Sequence, residues 1–366
     1  MMSARFLTVV LERAFNMRDG FGREIDYMRI SVIDSCNLNC YYCNPCDNNE
    51  HCHALNILSV KEVLCIVRAA TRLGIKHFRL TGGEPLLHPQ LDEMVLQIKK
   101  ISGVSSVSLT TNAVLLAQHA KWLKEAGIDS INVSLDTIDA SEYERITKKP
   151  LLEEVKHGIN AAIECGIRVK INVVLTPQTD VVALTRYVAK KGTDIRFIEM
   201  MPVGEGHTNG VEPYKKVIGT LSKLYGEPCR INTEKTKEIN SGNDKRKIPD
   251  NGPAEYYIFP ELGIRVGLIQ AIHGKFCDTC NRIRVTADGR LMPCLGSSVT
   301  MDLVPDSWDF ADDVEKDFAI VRALRAAIKA KPRCHNFNDN AVTYTKTTET
   351  KTTEIEAAEV NAARNM

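Results

Sequence analysis

Residues 27–43, YMRISVIDSCNLNCYYC, decide how the rest of this chain is interpreted. The stretch begins as an apolar segment of β type and ends in three cysteines, Cys36, Cys40 and Cys43, with the spacing C-x3-C-x2-C. A loop this tight can direct three thiolates at one centre, and thiolates so placed bind zinc or iron–sulfur clusters. A cubic cluster has four irons, so three thiolates leave one iron open to a small molecule unless a fourth ligand comes from elsewhere.

Beyond this stretch the chain alternates between strands and helices about six times. Ser59 and Glu62 have the spacing of a capping box and start a helix that runs to Gly74. The same helix-ending phrase, a glycine followed by isoleucine, recurs at Gly127 and Gly166 ahead of further buried strands. We predict strands over residues 27–33, 77–80, 107–111, 131–135, 169–175 and 195–200. Parallel neighbours need crossover helices, so this alternation indicates a parallel sheet.

Polar and sulfur-bearing groups follow the predicted strands at their C-terminal ends, where parallel sheets and barrels gather their ligands. Glycines 82 and 83 would let a backbone approach a ligand closely, and the Glu84 carboxylate can accept from an ammonium group. Taken alone, residues 82–85 are a turn between a strand and a helix. The groups at the strand ends are Cys36, residues 81–85, residues 110–112, residues 134–136, Asn172 and residues 199–201.

Length and composition predict an ordinary globular protein of one large domain and a smaller one. The chain has 366 residues, 44% of them hydrophobic and 25% charged, and a net charge of +1, so no global field draws it to nucleic acid or to a membrane. No apolar run has the length of a membrane span, and the N-terminus lacks a secretory pattern. We therefore expect a cytoplasmic protein, in which twelve cysteines indicate metal binding rather than disulfides.

A second set of three cysteines lies near the C-terminus, beyond a polar stretch over 205–252 that is expected to be rich in loops. Cys277, Cys280 and Cys294 have the spacing C-x2-C-x13-C. A zinc ribbon would need a fourth ligand, for which His273 and the more distant Cys334 are the nearby candidates. A second iron–sulfur cluster with an open iron is the alternative, and the spacing leaves both possible.

The first cysteine set, with the aromatic Tyr42 before its last cysteine, resembles the signature of the radical S-adenosylmethionine (SAM) enzymes. The segment over 81–85, at the next strand end, resembles the motif that binds the SAM amino group in that superfamily. The second set, with Arg282 and Arg284 beside it, makes the chain similar to the GTP 3′,8-cyclase family from about Phe21 to His335. The matching stretches are residues 21–23, 29–32, 81–85, 109–112, 132–136, 196–199, 252–254 and 277–294.

The resemblance implies an α/β fold, a partial (β/α)6 TIM-like barrel of the radical SAM type, with the second cluster across the barrel mouth. The implied organisation is an N-terminal segment over 1–22, the barrel over 23–204, a cluster-bearing region over 205–335 and a polar tail over 336–366. It also implies two [4Fe–4S] clusters, SAM as a cofactor, GTP as the substrate, and an electron donor such as flavodoxin or ferredoxin. A homodimer is a further expectation.

In the family, the first cluster reduces SAM, and the resulting 5′-deoxyadenosyl radical takes the C3′ hydrogen of GTP so that C3′ attacks C8. This lyase reaction opens molybdenum cofactor biosynthesis. Carried over by position, the resemblance implies that Cys36, Cys40 and Cys43 bind the first cluster. The ligands of the second cluster would be Cys277, Cys280 and Cys294. SAM contacts fall to Tyr42, Gly83, Glu84, Ser134 and Met201. The implied GTP contacts are Arg29, Arg79, Thr110, Lys170, Arg196, Arg282 and Arg284. The implied catalytic residues are the first three cysteines, Arg282 and Arg284.

Several of these residues have simpler interpretations. In these interpretations Arg29 and Arg79 pair with core carboxylates, Lys170 faces solvent, and Met201 fills the core. The chain also departs from the family pattern: it has no terminal glycine pair, His77 stands in place of a lysine, and Ser35 in place of an arginine. We assign no role to Cys46, His51, Cys52, His53 or the tail.

Two other functions therefore stay open. One is a two-cluster radical SAM enzyme that acts on another nucleotide or on a peptide. The other is a non-catalytic iron–sulfur or zinc protein.

Overall fold

The computed structural model describes residues 17–43, 56–207, 210–231, 252–297, 299–303 and 313–337. Cys46, His51, Cys52, His53 and the tail beyond residue 337 lie outside the described residues, as does the segment before residue 17. No helix in the described ranges combines the length and apolar content needed to cross a membrane.

Strands and helices alternate through the first two hundred residues, as the periodicity predicts. The strands are β1 (Tyr27–Ser31), β2 (His77–Thr81), β3 (Ser106–Thr111), β4 (Ser130–Ser134), β5 (Val169–Leu175), β6 (Asp194–Glu199), β7 (Cys229–Arg230), β8 (Glu255–Ile258), β9 (Arg265–Ile269), β10 (Arg282–Val285), β11 (Arg290–Met292) and β12 (Met301–Asp302). The helices are α1 (Val60–Arg72), α2 (Leu91–Lys99), α3 (Leu116–Glu125), α4 (Ala140–Thr147), α5 (Leu152–Glu164), α6 (Val181–Lys190), α7 (Gly219–Tyr225) and α8 (Asp313–Lys329).

The described strands form one sheet in the order β12-β11-β10-β1-β2-β3-β4-β5-β6-β9-β8-β7. β1 to β6 are parallel and adjacent in chain order, which confirms the expected series of β/α units. The C-terminal region adds one parallel strand at each edge, β10 beside β1 and β9 beside β6. It therefore extends the same sheet on both sides, and the division at residues 204 and 205 stays a prediction.

The two faces of the sheet differ in chemistry because side chains alternate along each strand. Met28 and Ile30 of β1 and Phe78 of β2 are buried on the face that packs against the helices. Arg29, at the alternate position, shares its cross-strand register with Arg79, and the remaining parallel strands continue this polar row. The polar face carries Tyr27, Arg29, His77, Arg79, Ser108, Thr110, Asn132, Lys170, Asn172, Arg196, Arg282 and Arg284.

Local sequence signals predicted several element ends. Ser59 and Glu62 form the predicted capping box at the start of α1. The glycines after α1, α3 and α5 have positive φ angles of 85°, 89° and 69°, a conformation that glycine adopts without strain. Two helices were not predicted: α7, within the stretch expected to be loop-rich, and α8, whose face packs on α1 and β11.

Candidate active site

The first cysteine loop begins directly against the end of β2. Gly83 N donates to the Ile33 carbonyl at 2.7 Å, and Glu84 N donates to the Ser35 carbonyl at 2.8 Å. A Cβ on Gly83 would lie 2.2 Å from the Ser35 oxygen, and one on Gly82 would lie 2.4 Å from the Ile33 oxygen. The glycine pair therefore permits close approach of the cysteine loop's own backbone, whereas the sequence predicts the approach of a ligand.

The middle and end of the loop are held by α4 and β4. The backbone amides of Asn39 and Tyr41 donate to carbonyls in the last turn of α4, at 3.0 and 3.1 Å. Tyr42 donates its hydroxyl to Asp136 at 2.5 Å, and Asp136 also accepts from the Val174 amide at 2.7 Å. Burial raises the pKa of Asp136 to about 6. These contacts fix the loop at three places, so the spacing of the thiols is set by the barrel.

The three thiols of this loop suit a cationic metal cluster. Burial raises the pKa of Cys36 and of Cys43, and it raises that of Cys40 to about 12 with help from Asp136 and the other two thiolates. Thiolates so close together repel one another, and iron removes that repulsion because it neutralises their charge.

Glu84 does not present an open carboxylate. It is 1% exposed and accepts hydrogen bonds from the Leu86 amide at 3.0 Å, the Thr111 hydroxyl at 2.6 Å and the Asn112 amide at 2.7 Å. An ionised carboxylate has about four acceptor positions, so one remains for a ligand. Its main contribution in this structure is to join the ends of β2 and β3.

Asn112 connects that junction to the cysteines. Its side-chain amide donates to Asn37 at 2.7 Å and lies 3.8 Å from the Cys36 sulfur. Sequence reasoning placed Asn112 at a strand end but gave it no role. The sequence feature that could have indicated a role for Asn112 is its position directly after the Thr110-Thr111 pair at the end of β3.

Ser134 and Met201 lie at the same end of the sheet as this loop. Ser134 is exposed at the end of β4, beside Asn172 of β5. The buried Asn172 Oδ1 finds no hydrogen-bond partner within the described ranges. The segment that follows Met201 packs on the cysteine loop, because a Cβ on Gly204 would lie 3.0 Å from the Cys43 oxygen. The structure thus brings four predicted SAM contacts, Tyr42, Gly83, Ser134 and Met201, to one end of the sheet.

A group of arginines occupies the middle of the polar face. Arg29 lies in register with Arg79 of β2 and with Arg284 of β10, and Arg282 lies in register with Tyr27. Burial lowers the pKa of Arg29 well below its usual range, and the neighbouring Arg284 adds to this. Concentrated positive charge with little water favours an anionic ligand.

The hydrogen-bonding capacity of these arginines is incompletely used. The buried Nε atoms of Arg29, Arg196 and Arg282 have no hydrogen-bond partner among the described residues. Among the described residues, no carboxylate forms an ion pair with any of these three or with Arg79. Within the part of the chain that the structure describes, Arg29 and Arg79 therefore do not pair with core carboxylates, unlike in their simpler interpretation.

Other members of the predicted GTP set lie on the same face. Arg79 donates to the Tyr27 hydroxyl at 2.5 Å and to the Thr110 hydroxyl at 3.3 Å. Arg196 donates to Asn132 at 2.5 Å. Lys170 is 5% exposed and shares its register with Asn132, so the interpretation that it faces solvent is wrong.

His77, which stands where the family has a lysine, lies at the start of β2 on this face. Its Nδ1 is 2.8 Å from the Ser106 hydroxyl. Burial lowers the pKa of His77, and the nearby Asp26 offsets this only in part. The imidazole is therefore neutral at pH 7, and the polar face has one cation fewer than a lysine would give it.

The second cysteine set is assembled by a hairpin. Cys277 and Cys280 lie on a short 3-10 turn just before β10, and β11 returns antiparallel with Arg284 opposite Met292. If this antiparallel register is continued by two residues, Cys294 lies opposite Arg282. Cys294 is then close to Cys280, which is two residues before Arg282. The thirteen residues between Cys280 and Cys294 are thus the length of one hairpin.

This second site is electropositive, unlike the first. Burial acts to raise the pKa of Cys280, but the cations of Arg282 and Lys331 outweigh it and lower that pKa to about 7. Among the described residues no three His, Cys, Asp or Glu side chains converge on a single metal ion. A four-iron cluster does not require such convergence, because each thiolate binds a different iron.

The two cysteine sets lie at opposite ends of β1. The first follows the C-terminal end of β1, whereas Asn281, directly after Cys280, accepts from the Tyr27 amide at the strand's N-terminal end at 3.2 Å. The expected position of the second set at the barrel mouth is therefore corrected, because β10 runs parallel to β1 and its preceding turn must lie at the opposite end. The five residues of β1 span roughly 16 Å at about 3.3 Å each.

Arg23 is a further residue whose role the sequence did not reveal. It is 8% exposed and binds Asp19 at 2.5 Å, the Cys277 carbonyl at 2.7 Å and the Pro332 carbonyl at 2.6 Å. It therefore joins the start of the chain to the second cysteine turn and to the segment after α8. The only signal was its membership of the matching stretch 21–23.

Comparisons with known proteins agree with this geometry. The chain matches the Radical SAM superfamily over residues 30–183 and the family Molybdenum Cofactor Synthesis C over residues 193–337. The GTP 3′,8-cyclase of Clostridium perfringens (strain SM101 / Type A) is 35% identical over 324 residues, which cover 88% of this chain and 95% of that protein. The GTP 3′,8-cyclase of Peptoclostridium acidaminophilum is 37% identical over 328 residues, covering 88% of this chain and 94% of that protein.

A solved structure shares the fold. Streptococcus suis SuiB, crystallised with its precursor peptide SuiA, matches 82% of this chain and 67% of its own with a TM-score of 0.52 and 15% identity. At that identity the likeness concerns the fold alone, and it confirms the expected α/β architecture.

Proposed function

The chain belongs to the GTP 3′,8-cyclase family of radical SAM enzymes, and from this premise we propose that it converts GTP to (8S)-3′,8-cyclo-7,8-dihydroguanosine 5′-triphosphate. This reaction is the first step of molybdenum cofactor biosynthesis and is of the lyase class. The relatives that carry the name align over nearly their whole length.

One observation supports GTP as the ligand more than any other. Buried arginines whose Nε atoms have no partner in the described part of the chain lie on the polar face between the two cysteine sets. A triphosphate carries several negative charges and presents oxygens that guanidinium groups bind in pairs. The roles of Arg29, Arg79, Thr110, Lys170, Arg196, Arg282 and Arg284 in binding GTP are part of this proposal.

The cysteine sets fit two iron–sulfur clusters. Cys36, Cys40 and Cys43 would hold the first and Cys277, Cys280 and Cys294 the second, since both sets present clustered thiols on fixed loops. When bound, the first cluster supplies one electron that cleaves SAM into methionine and a 5′-deoxyadenosyl radical. We propose flavodoxin or ferredoxin as the electron donor and a homodimer as the assembly.

The chain's own residues bind and orient the two small molecules. Four residues at the same end of the sheet as the first cysteine loop would contact SAM: Tyr42, Gly83, Ser134 and Met201. Glu84 has one acceptor position left for the ammonium group of SAM. Arg79, fixed by Tyr27 and Thr110, would orient the phosphates. The buried polar face limits the access of water to a reactive radical.

The test uses GTP deuterated at C3′. Protein reconstituted anaerobically is incubated with dithionite, SAM and the labelled GTP, and the 5′-deoxyadenosine is analysed by mass spectrometry. Deuterium in this product is the expected result. Unlabelled 5′-deoxyadenosine would overturn GTP as the substrate while leaving the SAM chemistry in place.

A second candidate is a radical SAM enzyme that acts on another nucleotide. The neutral His77, in place of a lysine, favours it because fewer cations face the phosphates. A nucleoside diphosphate that labels 5′-deoxyadenosine more efficiently than GTP would support this alternative.

A further inference from the structure

A fourth cysteine, Cys334, lies beside the second cysteine set. The segment over 331–335 follows α8 and crosses the hairpin that carries the set. Lys331 is 3% exposed and donates to the carbonyls of Arg282 and Pro293, both at 2.8 Å. Pro293 directly precedes Cys294, and Arg282 is two residues after Cys280, so Lys331 ties the segment to both ligand positions.

Arg23 ties the same segment to Cys277. One guanidinium nitrogen, Nη1, donates to the Cys277 carbonyl at 2.7 Å and to the Arg333 carbonyl at 2.9 Å. The Arg23 side chain is 7% exposed, and removing either carbonyl from it would leave a buried donor unsatisfied. The residue before Cys334 is therefore fixed next to Cys277.

The residue after Cys334 also contacts Cys277. The His335 backbone amide donates to the Cys277 thiol, and the His335 ring is anchored by the Ala271 carbonyl, 2.7 Å from its Nε2. Both neighbours of Cys334 in the chain thus approach Cys277.

We propose that Cys334 is a fourth protein ligand of the second site and binds the iron that Cys277, Cys280 and Cys294 leave open when GTP is absent. The inference rests on the proposed function, because it takes a [4Fe–4S] cluster to be bound there. Cys334 gives its proton to solvent as the sulfur–iron bond forms, and no electron is transferred. GTP must displace this thiolate to reach the iron.

Charge and exposure at the site are compatible with this role. A fourth thiolate adds negative charge to the cluster, and the cations of Arg282 and Lys331 lie beside it. Cys334 is exposed, so its side chain is not committed to packing and can exchange with a substrate.

The test isolates the second site in the full chain by the substitutions Cys36→Ala, Cys40→Ala and Cys43→Ala. This parent variant is reconstituted anaerobically with iron and sulfide, oxidised with a limited amount of ferricyanide, and examined by electron paramagnetic resonance. A four-iron cluster with three thiolates readily loses its open iron on oxidation and gives a [3Fe–4S] signal, whereas a fourth thiolate retains that iron. Cys334→Ala in the parent background should increase the [3Fe–4S] signal about fivefold.

Cys229→Ala is the matched control, since Cys229 is also exposed but lies on β7, at the far edge of the sheet. It should leave the signal at the parent level. Equal [3Fe–4S] signals from the parent and from Cys334→Ala would overturn the inference and leave the proposed function intact. A parent that binds zinc or no metal would overturn both the inference and the second cluster of the proposed function.

Discussion

At the residue scale, cysteines of the two sets have opposite electrostatic surroundings. Cys40 lies among buried groups near Asp136, which together raise its pKa to about 12. Cys280 is also buried, but Arg282 and Lys331 lower its pKa to about 7. The two side chains are chemically identical and differ in the charges that the fold places beside them. Their reactivities at a given pH should therefore differ widely.

Alkylation of the metal-free protein should reveal this difference. With iodoacetamide, Cys280 should reach half of its maximal rate near pH 7, because only the thiolate reacts. Cys40 should still be far from its maximum at about pH 10. Peptide mass spectrometry across a pH series measures both rates, and Lys331→Met should move the Cys280 midpoint upward. Identical pH profiles for the two cysteines would contradict the opposite electrostatic surroundings of Cys40 and Cys280.

His77 offers a prediction on ligand binding. His77→Lys should tighten GTP binding about tenfold, since a hydrogen bond to a charged donor contributes about 1.5 kcal/mol. His77→Gln is the neutral control and should bind as the wild type does at pH 7. The measurement is isothermal titration calorimetry of GTP on the reconstituted protein.

The pH dependence of that affinity gives a second readout. The pKa of His77 is lowered from its usual value near 6.5, so the imidazole becomes charged only as the pH falls below that value. Wild-type affinity for GTP should therefore increase below about pH 6.5 relative to His77→Gln. If the two proteins keep a constant ratio of affinities from neutral to acidic pH, His77 does not face the ligand.

At the element scale, the end of β2 determines where the first cysteine loop lies. The loop's backbone packs on Gly82 and Gly83 at distances that no Cβ tolerates. Glu84 then joins β2 to β3 through Thr111 and Asn112. The three-cysteine loop is thus positioned by its neighbouring strands as well as by its own sequence.

Gly83→Ala should displace the first cysteine loop. The added Cβ meets the Ser35 oxygen at 2.2 Å, so the backbone must move, and the variant should retain roughly half of the reconstituted iron, that of the second site. Gly219→Ala is the matched control, because no atom lies within 4 Å of its Cβ. Iron and sulfide analysis compares the two, and a full iron complement in Gly83→Ala would contradict this account.

At the scale of the whole molecule, the C-terminal region is joined to the six β/α units through strand pairing and through one arginine. β9 and β10 pair with opposite edges of the six-stranded parallel sheet. Arg23 links the segment before β1 to the second cysteine turn and to the segment after α8. The second site is therefore complete only when residues more than three hundred positions apart have come together.

Arg23→Met should destabilise the whole protein. The substitution removes the ion-pair partner of the buried Asp19 carboxylate and one donor from each of the Cys277, Pro332 and Arg333 carbonyls, which should lower the free energy of unfolding by about 3–5 kcal/mol. Arg72→Met removes a pair with Asp317 in which the arginine is 39% exposed, so it should cost less than about 1 kcal/mol. Urea denaturation followed by circular dichroism measures both, and equal losses would refute a central role for Arg23.

The sequence by itself determined the repeating units and the two cysteine sets. Strand periodicity, the capping box at Ser59 and the glycines after helices are local signals, because they depend on residues within a few positions of one another. The fold class and most strand limits followed from them. Helix α8 did not, since its packing partners α1 and β11 are distant in sequence.

Only the tertiary structure decided which residues meet. Strand register placed Arg29 between Arg79 and Arg284, and the direction of β10 put the second cysteine set at the opposite end of β1 from the first. The approach of Cys334 to Cys277 depends on Arg23 and Lys331, whose hydrogen bonds reach across the chain. Such contacts leave no periodic trace in the sequence, because their geometry is set by the whole sheet and not by neighbouring residues.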